Sequence, residues 1–155
     1  MAAYQTAAYQ TIVVGTDGSD SSYRAVDKAA AVAAATGATL VIACAYQPAS
    51  QREVDHAQDE LGSDVAYQVV GSAPAEDTVR TASERAKKAG ATKIDAQIVV
   101  GEPVPTLTQL VKDRAADLLV VGNRGLNTLA GRLLGSVPSE VARKSGVDVL
   151  IVHTT

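Results

Sequence analysis

The stretch Asp117-Leu118-Leu119-Val120-Val121-Gly122-Asn123-Arg124-Gly125 decides how this chain reads. Its aliphatic run has no polar alternation. That is the pattern of a strand covered on both faces, where neither side of the pleat meets water. The run stops at Gly122 and enters a loop with further glycines. Gly125 is followed by nine residues and then by Gly135 and Ser136, which open a helical pattern with Pro138 in its first turn.

Working outward, the same alternation repeats. Short β-branched or aliphatic runs at 11–15, 39–46, 93–100, 117–121 and 147–153 read as strands. Between them, 22–36, 74–89, 103–115 and 136–145 read as helices, with Gly37, Gly90 and Gly146 as stops. Residues 16–22 are dense in Asp, Gly and Ser, and the last of them are good N-caps. Strands alternating with helices imply βαβ units with right-handed crossovers. The expectation is an α/β fold: a single doubly wound, Rossmann-like domain with a five-stranded parallel sheet and helices on both faces. Residues 11–155 form this domain, and residues 1–10 are an extension in which Ala2-Ala3-Tyr4-Gln5-Thr6 is repeated at 7–11. Residues 48–72 are weakly patterned, with room for a short helix at 53–61 and an extended piece at 65–70.

Composition narrows the class. The chain has 155 residues, a length suited to one domain that needs no disulfide staples. Apolar residues make up 46% and aromatics 3%, so the core is aliphatic. The net charge is −3, with 14 basic and 17 acidic residues spread along the chain, and there is no Phe or Trp. A nucleic-acid partner, which wants a basic stripe or stacking platforms, is disfavoured. No run approaches a membrane span, and the N-terminus lacks the charge and apolar pattern of a signal peptide. A single cysteine, Cys44, fits a reducing compartment, and the cytoplasm is the expected location.

In a doubly wound sheet, ligands bind outside the carboxyl ends of the strands, where the strand order reverses. Two loops matter. The first runs Gly15-Thr16-Asp17-Gly18-Ser19-Asp20-Ser21-Ser22. An Asp at a strand end can accept from a ribose or base or assist Mg²⁺; equally, Asp17 and Ser19 can simply cap the next helix. The second loop runs from Gly122 to Ser136. Its glycines allow close backbone approach to an anion, and N–H groups at a helix N-terminus favour negative charge. Spacing alone leaves a phosphate cradle and a ligand-free crossover loop both open.

Several chemistries are excluded. Gly131-Arg132-Leu133-Leu134-Gly135-Ser136 lacks the Lys of a Walker A loop, and no G-x-G-x-x-G follows the first strand. No Ser stands in a G-x-S-x-G elbow. Asp17 and Asp20 have the wrong spacing for a dehalogenase-type phosphatase. His56 and His153 have no metal-ligand neighbours in sequence, so no zinc site is expected. Cys44 reads as core, and Arg124 and Arg132 as solvated loop residues.

Together, a strand ending in Gly15-Thr16-Asp17-Gly18-Ser19, the G-x-x-G-x9-G-[ST] pattern after the fourth strand and a final hydrophobic strand resemble the nucleotide-binding branch of the universal stress protein family. The likeness covers the chain after Thr11. It implies that Gly15, Thr16 and Asp17 meet adenosine, that Ala45 contacts adenine through its backbone, and that Gly122, Gly125, Gly135, Ser136 and Val137 line the ribose and phosphate side. It also implies a homodimer paired through 147–153. The chain departs from the ATP-binding pattern in two ways: Pro138 stands where other members often offer a hydroxyl, and no Lys lies near the glycines. Both favour fewer phosphates. With the similarity to actinobacterial members, some of which bind cyclic AMP, they rank cyclic AMP above ATP. The implied role is a nucleotide-binding regulator or buffer with no catalytic residues, no resident metal and no obligatory cofactor; Mg²⁺ enters only with ATP. The alternatives are an ATP-binding member with slow or no hydrolysis, and a ligand-free dimer acting through 48–72.

Overall fold

The computed structural model describes residues 8–48, 72–123 and 136–154. Among them the order is β1 (Thr11–Gly15), α1 (Asp20–Thr36), β2 (Thr39–Tyr46), α2 (Ser72–Lys88), β3 (Lys93–Val100), α3 (Pro103–Asp113), β4 (Leu118–Gly122), α4 (Ser136–Lys144) and β5 (Asp148–Val152). The strands form one parallel sheet in the order β3-β2-β1-β4-β5. The expected doubly wound fold is therefore present. The short pieces expected at 53–61 and 65–70 lie outside the described residues.

Strand alternation divides the core. Ile12, Val14, Leu40, Ile42, Leu118 and Val120 face α1 and α2, while Val13, Val41, Ala43, Leu119 and Val121 face α3 and α4. Because both faces are covered, the central strands have no polar positions to spare. This is why they read as unbroken apolar runs. On α1 the buried stripe is Ala25, Val26, Ala29, Ala30 and Ala33, at helical spacing. Its small side chains let the helix lie close on the sheet, and alanine's high helix propensity supports it. A salt bridge from Arg85 to Asp27, with Nη2 to Oδ2 at 2.5 Å, ties α2 to α1.

The edges of the elements differ from expectation for identifiable reasons. Helix α1 begins at Asp20 rather than 22, because Ser19 is the cap and its side chain accepts from the Ser22 N–H. Helix α2 begins at Ser72 and ends at Lys88. Strand β4 begins at Leu118 because the Asp117 carboxylate turns back to accept the N–H groups of Gln10 and Thr11. Strand β5 is one residue shorter at each end than expected. Residues next to the expected domain start are held as well. The Tyr9 hydroxyl donates to Asp148 Oδ2 at 3.0 Å, and the Gln10 carbonyl accepts from Thr39 N–H at 2.9 Å.

Helices α1, α2 and α3 all end in the same way. An amide two or three residues past each helix end reaches back five residues: Ala38 to Ala33, Ala91 to Ala86 and Ala116 to Val111. This closure needs a left-handed residue in between. Gly37 (φ 70°) and Gly90 (φ 106°) supply it, but α3 uses Ala115 at φ 49°. A Cβ at that φ crowds the following carbonyl. Helix α3 therefore stops at Asp113, short of the expected 115. Ala115 is exposed, so its replacement changes backbone strain and little else. Ala115→Gly is expected to raise unfolding free energy by about 0.5–1 kcal/mol, read as a higher urea midpoint with an unchanged slope.

Candidate functional site

The strand order reverses between β1 and β4. From β1 the chain runs outward through β2 to β3, and from β4 it runs the other way to β5. The connection after β1 enters α1 on one face, and the helix after β4, α4, packs on the other. A gap is left at the carboxyl ends of the two strands, and a cleft of about 420 Å³, open to solvent, occupies it.

The floor is apolar: Ala43, Ala45, Leu107, Val121 and Val137, with Pro103 at one side. The rim is Gly15, Thr16, Asp17, Ser22 and Gly122. Of the residues singled out in the sequence, Gly15, Thr16, Asp17, Ala45, Gly122 and Val137 thus share one cleft. Ser136 is the first residue of α4, and Gly125 and Gly135 lie outside the described residues. Ser22, Ala43, Pro103, Leu107 and Val121 also line the cleft but do not stand out in the sequence. Ala43 is recoverable from Ala45, since positions two apart share a strand face. Pro103 and Leu107 are recoverable only once α3 is known to lean over the β1 end.

The first loop is held by a closed set of hydrogen bonds. Ser19 Oγ donates to Asp17 Oδ1 at 2.6 Å and accepts from the Ser22 N–H at 3.1 Å. The Ser19 N–H also goes to Asp17 Oδ1, at 2.9 Å. Ser22 Oγ donates to the Ser19 carbonyl at 2.9 Å, so the Thr16 hydroxyl is the donor in its 2.8 Å bond to Ser22 Oγ. Thr16 Oγ1 accepts in turn from Gly18 N–H at 3.2 Å. The Thr16 hydroxyl is thus spent inside the turn. Both bonds to Asp17 fall on one oxygen, which leaves Oδ2 with accepting capacity. Gly18 is required here twice over: its φ is +85°, and a Cβ would lie 2.8 Å from Thr78 Oγ1.

Gly15 sets the depth of the cleft. A Cβ there would lie 2.9 Å from Leu107 Cδ1. The missing side chain is what lets the α3 wall close on the end of β1. At the other side, the first turn of α4 opens on the cleft through Val137, and Pro138 behind it is fully buried. Pro138 is therefore a packing residue of α4 that needs no amide donor in the first turn.

Among the described residues, Asp17 is the one ionisable side chain that lines the cleft, and no group of His, Cys, Asp or Glu could hold a metal ion. No described helix is long and apolar enough to cross a membrane. Cys44 lies between Ala43 and Ala45 on β2, so its side chain points to the opposite face, where it is fully buried. Burial, with a smaller contribution from the Asp17 charge, pushes its thiol up from 9.0 to about 12.

A switch-point cleft with a hydrogen-bonded acidic turn on one side and a helix N-terminus on the other marks a doubly wound α/β protein whose sheet opens between β1 and β4. The chain belongs to the universal stress protein family, whose model matches residues 8–153. It is 56% identical over 148 residues to the universal stress protein Rv1636 of Mycobacterium tuberculosis, covering 96% of this chain and 99% of that one. Among solved structures, it is similar to a universal stress protein in complex with cAMP, with 57% identity, a TM-score of 0.75, and coverage of 96% and 99% of the two chains. The fold is also shared with universal stress protein UspA from Lactobacillus plantarum, at 24% identity and a TM-score of 0.74, with coverage of 95% and 99%.

The Cys44 environment has a measurable consequence. A folded thiol that titrates above its unfolded value stabilises the fold fully below about pH 9, and this contribution is lost as pH rises towards 12. At pH 8 the native thiol is expected to react with an aromatic disulfide reagent at least about a hundredfold more slowly than the urea-unfolded chain. Equal rates would mean that the thiol is accessible in the native state.

Proposed function

We propose that this protein is an adenine-nucleotide-binding regulator or buffer, that its favoured ligand is cyclic AMP, and that it holds the nucleotide without splitting it. The observation that carries the reading is the cleft between the ends of β1 and β4, with its small-residue floor, its single acidic acceptor and the start of α4 at its far side. A relative 57% identical to this chain has been solved in complex with cAMP, which supports the choice of ligand.

In this reading the adenine ring lies over Ala45, beside Ala43 and Leu107. Burial of its apolar faces there provides affinity, and the Ala45 backbone supplies polar recognition. Gly15 and Thr16 approach through backbone atoms, because the Thr16 hydroxyl is already committed. Asp17 accepts from the ribose through Oδ2. Gly122, Gly125, Gly135, Ser136 and Val137 take the phosphate side, where amides at the start of α4 favour an anion. A single phosphate suits this arrangement better than three, since no Lys or Arg among the described residues lines the cleft. The domain spans 11–155. The protein acts in the cytoplasm as a homodimer joined through β5, which stands at the edge of the sheet and would otherwise leave an unpaired strand there. Nucleic acid and membrane are not its partners, and Mg²⁺ is needed only if ATP is the ligand.

The test is calorimetric titration with cyclic AMP, ATP, AMP and GTP, run beside a phosphate-release assay with ATP. Cyclic AMP is expected to bind most tightly, and no phosphate to appear at ordinary enzyme rates, about 1 per second or faster. If none of the four binds below about millimolar, the nucleotide reading is wrong and a surface-acting dimer takes its place. Tighter ATP binding would move the assignment to the ATP-binding branch.

Two substitutions locate the site. Gly15→Ala drives a methyl against the tip of the Leu107 side chain, which lines the cleft and must shift. Cyclic AMP affinity is expected to fall about tenfold, with an overpacking cost of about 1–3 kcal/mol in stability. Asp17→Ala is expected to weaken binding and also to loosen the Ser19 cap, at about 1 kcal/mol. Thermal melting separates the two effects. Full affinity in both variants would place the nucleotide elsewhere.

A further inference from the structure

The residues just beyond β5 make contacts that neither the fold nor the nucleotide reading calls for. Thr154 is 5% exposed, and each of its polar atoms has a partner. Its N–H and its hydroxyl both donate to Asn123 Oδ1, each at 2.8 Å. Ser21 Oγ is hydrogen-bonded to the same Thr154 hydroxyl. The Thr154 carbonyl accepts from Arg24 Nη1 at 2.6 Å. The Asn123 N–H donates to the Val152 carbonyl at 2.9 Å and carries the β4–β5 ladder one residue past the end of β4. One residue thus joins the exit of β4 to the first turns of α1, the helix that follows the acidic turn of the cleft.

We propose that Thr154 is a positioning residue for the phosphate side of the cleft: it latches Asn123 to Ser21 and Arg24 and so fixes where the Gly122 backbone stands. The inference rests on the nucleotide reading above. Gly122 has no side chain to anchor it, and its neighbours are the latch itself. A Cβ on Gly122 would meet Ser21 Oγ at 3.4 Å and Thr154 Cγ2 at 3.6 Å. A backbone donor contributes most to binding when it is already aimed before the ligand arrives, because the ligand then does no ordering. None of the hydrogen-bond partners of Thr154 lines the cleft, so its effect on ligand passes through Asn123 and Gly122.

The test compares wild type, Thr154→Val, Thr154→Ser and Ser21→Ala. Calorimetric titration with cyclic AMP is run well below each melting midpoint, beside amide hydrogen exchange without nucleotide. Thr154→Val keeps the shape and the backbone groups but removes the hydroxyl. It is expected to lose about tenfold in affinity and to exchange faster at Gly122 and Asn123. Thr154→Ser restores the hydroxyl and is expected to recover both. Ser21→Ala removes the α1 side of the latch and serves if Thr154→Val does not fold. Affinity within twofold of wild type in Thr154→Val and Ser21→Ala overturns the proposal, even if their melting midpoints fall. If wild type itself does not bind cyclic AMP, the nucleotide reading fails. The exchange measurement then decides the latch alone, with unchanged protection at Asn123 overturning it.

Discussion

The pairing of β1 with β4 is the constraint on which the rest of this structure depends. Ile12, Val13 and Val14 run in register with Leu118, Leu119 and Val120, although about a hundred residues of chain separate them. Once these two strands lie side by side and parallel, β2 and β3 can extend the sheet only on one side and β5 only on the other. The helices then pack on opposite faces, and among the described residues a gap stands beyond the ends of β1 and β4. The cleft is a topological consequence of the pairing. Its chemistry was then set by which residues stand at the two strand ends.

Those residues divide the work between packing and polarity. The floor is built from side chains small enough to leave room, with Ala43 and Ala45 on β2 and Gly15 on β1. The acidic turn is rigid because its hydroxyls saturate one another: Thr16, Ser19 and Ser22 each serve as both donor and acceptor. Such a turn can present a carboxylate without needing a ligand to hold it in place. In low-dielectric surroundings a partly satisfied network would instead be costly. The bonds that cap α1 through Ser19 are thus the same ones that hold Asp17 at the rim of the cleft.

Most of the fold was legible in the residue order, and the exceptions are instructive. Strands β1, β2 and β3 coincide with their sequence readings because β-branched runs bounded by turn residues leave little choice. Helix ends were less legible. Ala115 terminates α3 in a left-handed conformation that no alanine advertises, and Asp117 is withdrawn from β4 by amides at the far end of the chain. Both are tertiary decisions that override local preference. The candidate site shows the same division. The strand-end glycines Gly15 and Gly122 and the Asp in the loop after Gly15 marked the rim, whereas Leu107, Pro103 and Val121 are ordinary core residues until α3 and β4 are placed.

By itself the sequence determined the class of fold, the two strand ends that border the cleft, and the exclusion of a Walker-type phosphate loop. These follow from local patterns: periodicity, glycine positions and the presence or absence of a lysine. Only the tertiary structure decided that Gly15 stands against Leu107, that the Thr16 hydroxyl faces its own turn, and that Thr154 joins Asn123 to α1. Contacts between residues so distant in sequence depend on strand order and register. Those are settled by burying two faces of one sheet at once, and no local stretch of the chain records them.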